Sequence, residues 1–458
     1  MQKKTVGYYL FTLAAFLLVL TGCQKQDLQQ VDTSTTTSNN PNANKVVKKN
    51  FPNEVATQWF DAELELIQAA GFTPPVASRA LGYTGVTLYE SIFESMPEYA
   101  SLKAKLGYSY TLPTYRPNIK YYWPAVANSA LYTIVSRLFS TASSQTLATA
   151  NALYNSFHEQ HAKEVFKEDL TASEAYGKAV AETIFEWSNT DGILHSFVNY
   201  NPNEYTVPTG EGARVPTPAA FAPKPLLPYW GDNRPFLAIN VGNECLPPAL
   251  TTNSYSVNPA SGFYKQAMEV YQTGKNLTPE QREIALYWND GGGSITPPGH
   301  NMNIATQMIR NKDLSLEEAA IVYAKVGMAG ADAFIACWKG KYKYNLMRPI
   351  TFIRQNIDAT WTSTITTPPF PTYASGHATV SGATAAVLTS VFGDNVPFTD
   401  KTHENQFGAR QFRNFYAAAT EAALSRLYGG IHYRMDNEIG LEKGKMIGKN
   451  IADLRLKK

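Results

Sequence analysis

Beyond residue 50, apolar positions recur with a helical period along most of the chain and almost nowhere with the period of two that marks a strand. Thr278-Pro279-Glu280-Gln281 offers an N-cap, a proline for the first turn and a glutamine three residues on, so a capping box is predicted to open a helix there. Ser315-Leu316-Glu317-Glu318 repeats the device, and the apolar spacing behind it runs to about Trp338. Alanine-rich stretches around Ala383–Ala386 and Ala417–Ala423 favour helix by intrinsic propensity, with Gly393 and the Gly429-Gly430 pair as stops. Short strands are expected only near Phe197–Val207. The proline-rich connections between Pro208 and Pro235, and Thr296-Pro297-Pro298-Gly299, read as ordered loops. The expected fold is mainly α, a helical bundle whose long loops carry part of a site.

The first fifty residues follow a different pattern. A basic start at Met1–Lys4 precedes an apolar run from Tyr8 to Leu20, the layout of a secretory signal. It ends Leu20-Thr21-Gly22-Cys23, which resembles the box of bacterial lipoproteins in which the cysteine, here Cys23, is acylated. From Gln24 to Asn50 there is almost nothing to bury, as in a disordered tether. The expected organisation is a signal peptide over 1–22, a tether over 23–50, an N-terminal helical part over 51–310 and a catalytic helical bundle over 311–458. Such a protein would be exported and held at the bacterial cell envelope by lipid, on the periplasmic face or the cell surface, without spanning the bilayer.

Composition changes little in that picture. Hydrophobic residues make up 44% and charged residues 17%, with 40 Lys plus Arg against 38 Asp plus Glu, so no basic field invites nucleic acid. Cys23, Cys245 and Cys337 are too few and scattered for a disulfide scaffold or a structural zinc site. His158 and His161 stand three apart, where the zinc-protease helix needs four, and read as a solvated helix face. The run Gly291–Gly293 lacks the lysine and hydroxyl of a phosphate loop.

Chemistry concentrates in three blocks of the last third. The first runs from Trp338 through Lys341 to Arg348-Pro349. The second is Pro369-Phe370-Pro371-Thr372-Tyr373-Ala374-Ser375-Gly376-His377. The third is Ser425-Arg426, five residues, His432, three residues, Asp436. Together they supply one ammonium, two guanidinium forks, a serine hydroxyl, a glycine amide ahead of a predicted helix and two histidines. That is the inventory a tetrahedral or trigonal-bipyramidal oxyanion requires, because charged forks neutralise it and a helix N-terminus adds amide donors. One histidine can bond the central atom while the other moves protons.

These blocks resemble the signature shared by vanadium-dependent haloperoxidases and type 2 phosphatidic acid phosphatases, with Ala374 standing where proline is usual. The resemblance is tightest over about residues 320–440. It implies that Lys341, Arg348, Ser375, Gly376 and Arg426 hold the oxyanion oxygens, that His432 bonds vanadium or attacks phosphorus, and that His377 is the acid–base partner. It implies vanadate as cofactor, with hydrogen peroxide and a halide (iodide or bromide ahead of chloride) as substrates. Trp338 and Phe370 sit where soluble haloperoxidases line a halide pocket, which favours the peroxidase. A soluble acid phosphatase working on phosphate esters through a phosphohistidine, and a non-catalytic oxyanion-binding lipoprotein, stay open as alternatives. Asp290 and Asp436 are candidate supports for the cradle, Asp290 as the partner of Arg426. His300 is expected in a loop that lines the same cavity or is merely solvated.

One cradle for two similar anions makes a direct prediction. Millimolar orthovanadate should raise the thermal midpoint by mass action, and inorganic phosphate should compete with it. A melting curve that neither anion moves would overturn the oxyanion reading.

Overall fold

The computed structural model describes residues 51–107, 109–242 and 254–458, so the predicted signal, tether, Cys23 and Cys245 lie outside the described residues. Among the described residues, thirteen helices of eight or more residues follow one another. The first five are α1 (Glu54–Ala69), α2 (Pro74–Ile92), α3 (Trp123–Leu138), α4 (Ser144–His161) and α5 (Lys167–Ser188). Then come α6 (Gly262–Lys275), α7 (Pro279–Tyr287), α8 (Thr296–Asn311), α9 (Leu316–Tyr344) and α10 (Pro349–Asn356). The last three are α11 (Gly376–Phe392), α12 (Phe415–Tyr428) and α13 (Arg434–Ala452). The fold is helical, as expected. Among the described residues the one sheet is an antiparallel pair, β1 (Phe398–Asp400) with β2 (Arg410–Phe412). No strand forms at Phe197–Val207, where Leu194–Val198 makes a single helical turn and Phe197 is 41% exposed with no sheet to cover it.

Both predicted capping boxes are present, at Thr278 with Gln281 and at Ser315 with Glu318. Helix α9 runs past Trp338 to Tyr344 and stops at Asn345, whose φ of 44° is the left-handed conformation that asparagine tolerates. The extra turn and a half puts Lys341 on the same rigid element as Trp338. Gly393 and Gly429 end α11 and α12 as expected. Thr296-Pro297-Pro298-Gly299 is not a loop but the first turn of α8, where prolines are tolerated because those N–H groups have no helical partner. His161 is not on a solvated face either; it is buried beside Tyr122 and Phe157, while His158 pairs with Glu174 at 2.6 Å.

Helix α9 is long and apolar enough to cross a membrane, yet 89% of its most apolar window is buried within the protein. It is the central strut of the core. Helix α2 packs along one side of it and α11 along another, and α11 in turn lies against α12 and α13. A second apolar cluster, around Phe263, Phe352, Tyr373 and Tyr433, joins α6 and α10 to the start of α13. Leu226, in the long connection before α6, is held to α9 by two donors on its carbonyl oxygen, Trp338 Nε1 at 3.3 Å and Tyr342 Oη.

The contact of α11 with α13 is backbone on backbone. A Cβ on Gly444 would stand 2.1 Å from the Thr379 carbonyl oxygen, and one on Gly448 2.0 Å from that of Ala383. Only glycine permits this approach. It sets the start of α11, residues 375–377, against the start of α13, where the Ser375 N–H donates to the Asp436 carbonyl at 3.0 Å. Gly444→Val should therefore cost at least about 2 kcal/mol of stability through overpacking, read from urea unfolding, and weaken anion binding along with it.

Candidate active site

A cavity of about 720 Å³ opens over the N-terminus of α11. Gly376, His377, Arg426 and His432 line it, with Phe334, Trp338 and Phe370 along one side. Lys341, Arg348 and Ser375 are fully buried behind that lining. The three sequence blocks thus converge, and the convergence has a simple origin. Lys341 lies on α9, Arg348 caps α10, Ser375 caps α11, Arg426 closes α12, and His432 precedes α13.

His432 is held from behind. Its Nδ1 lies 2.9 Å from Asp436 Oδ2 and 3.1 Å from Thr372 Oγ1, and Thr372 donates to the same carboxylate oxygen at 2.5 Å. With the proton of Nδ1 directed to Asp436, the lone pair of Nε2 is left for the cavity side. There Arg348 Nη1 donates to it at 3.1 Å. Burial, reinforced by Arg348, Lys341 and Arg426, holds the imidazole pKa well below its ordinary value, so His432 is neutral. His377 is neutral for the same reason, with Arg426 as the largest contributing charge. Burial raises the Asp436 carboxyl above the usual range against the pull of Thr372, Lys341 and Arg348.

The guanidinium groups are buried cations with unused donors. Arg348 donates through Nε to the Phe370 carbonyl at 2.9 Å and through Nη1 to that of Ile431 at 2.8 Å, but its Nη2 has no partner among the described residues. Arg426 donates to the Trp288 carbonyl and leaves Nε without a partner, as His377 leaves Nε2. Burial lowers the Arg348 pKa to about 9 and that of Arg426 to about 10, a sign of how much a counter-anion is wanted here. Two orphaned buried guanidinium donors, with the unpaired His377 Nε2 beside them and a neutral His432 imidazole, fit a tetrahedral oxyanion such as vanadate.

Lys341 and Ser375 make their bonds within the protein. The Lys341 ammonium donates to the carbonyls of Pro371 (3.0 Å), Thr372 (2.9 Å) and Ala374 (2.5 Å), so its protons shape the second block from within. The Ser375 hydroxyl accepts the Ala378 N–H as the cap of α11. Ala374, the departure from the signature, serves through its carbonyl, which also accepts from the Cys337 thiol. Trp338 and Phe370 do meet, with ring centroids 4.9 Å apart, and Phe370 lies 4.9 Å below the Arg348 guanidinium. They form an aromatic wall beside a cation.

Asp290 lines the cavity, but its carboxylate goes to His300 Nδ1 and His403 Nε2, each at 2.9 Å; Arg426 feels it only through its field. His300 is not a loop residue. It is fully buried on α8 under Trp288, its Nε2 2.7 Å from Asp400 Oδ2. Thr372 lies inside the second block, yet a threonine there carries no pattern that gives away its bond to Asp436. Asp400 and His403 stand far from every block, and no spacing pointed to them.

The profile described as the VCPO second helical-bundle domain matches residues 321–457. The vanadium chloroperoxidase of Curvularia inaequalis is 22% identical over 345 residues, a stretch that covers 58% of this chain and 57% of that protein's length. A crystal structure of a bacterial vanadium-dependent iodoperoxidase aligns with a TM-score of 0.80 at 33% identity, covering 90% of this chain and 99% of the other. The holo form of a bacterial vanadium-dependent chloroperoxidase shares the fold, with a TM-score of 0.59 at 14% identity over 84% of this chain and 93% of that one.

The hold on His432 makes a prediction. Asp436→Asn keeps the shape but removes the charge that fixes the ring, and should weaken orthovanadate binding by roughly 10–100-fold. Calorimetric titration reads the affinity, and circular dichroism checks that the helices survive.

Proposed function

The chain belongs to the vanadium-dependent haloperoxidase family, and from that premise we propose that it oxidises a halide with hydrogen peroxide on vanadate bound to His432. The observation that carries this reading is the neutral His432, fixed by Asp436 and surrounded by the unpartnered donors of Arg348 and Arg426 and the unpaired Nε2 of His377. Vanadate bound there supplies a Lewis acid that activates peroxide without changing its own oxidation state.

The protein's residues do the rest. His432 offers the Nε2 lone pair once Arg348 turns from it to the anion, while Asp436 and Thr372 keep the ring in place. Arg348 and Arg426, both buried, offset the anion's charge, and charge-assisted pairs are strongest where they are desolvated. His377, neutral and with Nε2 unpaired, takes a proton from incoming peroxide and returns it to the departing hypohalite. Lys341 acts through the 371–374 backbone and by its charge. Trp338 and Phe370 strip water from a large, weakly hydrated anion beside the Arg348 guanidinium. Iodide is the first choice and bromide the second, supported by the iodoperoxidase likeness. Cys23, if acylated, would keep this activity at the cell envelope.

The purified protein, loaded with orthovanadate or left without it, should be assayed for iodide and bromide oxidation beside phosphate-ester hydrolysis. Vanadate-dependent halide oxidation is expected, and cleavage of esters with no halide turnover would sink the proposal. His432→Ala should abolish activity. Trp338→Ala and Phe370→Ala should leave vanadate affinity nearly intact and raise the halide KM, because neither ring can ligate the oxyanion.

A further inference from the structure

Beside the cradle, three segments bring together side chains that the proposed chemistry does not use. Asp290 follows α7, His300 lies in α8, and His403 follows β1. Their ligand-type atoms all fall within 4.8 Å of one another. We propose that Asp290, His300 and His403 bind a divalent cation of the zinc class in the wall of the cavity.

The donor set selects the ion. Two imidazoles and one carboxylate suit a borderline metal, whereas calcium and magnesium prefer oxygen alone. The surroundings of His300 are those of a metal-bound histidine. Its Nε2 lies 2.7 Å from Asp400 Oδ2, and Asp400 is itself fixed by Tyr287 Oη at 2.7 Å and Thr402 Oγ1 at 2.6 Å. A carboxylate behind one ring nitrogen fixes the tautomer and orients the other nitrogen as a ligand. Here the other nitrogen, Nδ1, faces Asp290. Trp288 stacks on the ring with centroids 4.4 Å apart and holds its plane.

Access and charge agree with this assignment. Asp290 and His403 line the cavity, and the His403 side chain is 20% exposed, so an ion can enter and keep a position open to solvent. Asp290 and Asp400 bring two negative charges to a buried place, which a dication balances. The hydrogen bonds from Asp290 to the two rings are each 2.9 Å. Those bonds use different carboxylate oxygens, Oδ2 to His300 and Oδ1 to His403. Metal–ligand bonds of about 2.0–2.1 Å set tetrahedral ligand atoms about 3.3 Å apart, so binding moves each ring slightly off its oxygen and draws the more widely spaced ligand atoms, now within 4.8 Å, together. The cation takes the place of the protons in those two hydrogen bonds and releases to solvent any in excess of the neutral rings, so binding should tighten as pH rises.

The test keeps this site separate from the vanadate reading, since it needs neither peroxide nor halide. Full-length protein is stripped with a chelator, kept free of vanadate and titrated with Co²⁺, followed by competition with Zn²⁺. One equivalent of Co²⁺ should bind, with visible d–d bands of a low-coordinate site, raise the thermal midpoint, and be displaced by Zn²⁺. His403→Ala, at the cavity rim, should fold normally and weaken binding at least tenfold. His158→Ala, at the exposed imidazole of α4, should change nothing. Failure to saturate at one equivalent, or binding that His403→Ala leaves unchanged, overturns the proposal.

Discussion

The glycine-mediated approach of α13 to α11 is the constraint on which the site depends. It allows two backbones to lie closer than any side chain would permit, and so brings the two N-terminal ends of these helices together. One end carries Ser375, Gly376 and His377. The other carries Asp436, with His432 just ahead of it. Because the Ser375 amide bonds to the Asp436 carbonyl, His377 and His432 are registered to each other through main chain, without relying on flexible side chains.

Around that junction the protein buries an ammonium and two guanidinium groups, with Asp436 and Asp290 as the nearby carboxylates. Desolvating cations in this number is unfavourable unless something repays it. Backbone carbonyls do part of this: three accept from Lys341 and one or two from each arginine. Burial, reinforced by the positive field that is left, keeps both histidines uncharged, and that field makes the cavity floor a place for an anion. The cations that suit the floor to an anion thus also help to keep its two histidines neutral.

The helical class, the capping boxes and the membership of the cradle were legible from the sequence because each is written in local spacing. Helix α9 was underread at its end because Lys339–Tyr344 carry no apolar period, and what keeps them helical is packing of Lys341 and Tyr342 against segments distant in sequence. The first turn of α8 was read as a loop since two prolines look like a break unless the helix start is known. The bonds that Lys341 makes to the 371–374 carbonyls, and the cap that Ser375 gives α11, are not written in the blocks, because a residue's identity does not reveal which backbone groups it meets. Asp400 and His403 became neighbours of Asp290 only through the turn after β1, roughly a hundred residues away in sequence.

The Leu226 carbonyl has a mechanical consequence. Its two donors, Trp338 and Tyr342, sit one turn apart on α9, so the connection that forms part of the cavity's rim is riveted to the same rod that carries Lys341. Displacing the rim at this point means breaking both bonds or dragging the rod. This part of the cavity wall and Lys341 thus share one stiff rod, and loosening the wall there would be felt at the floor.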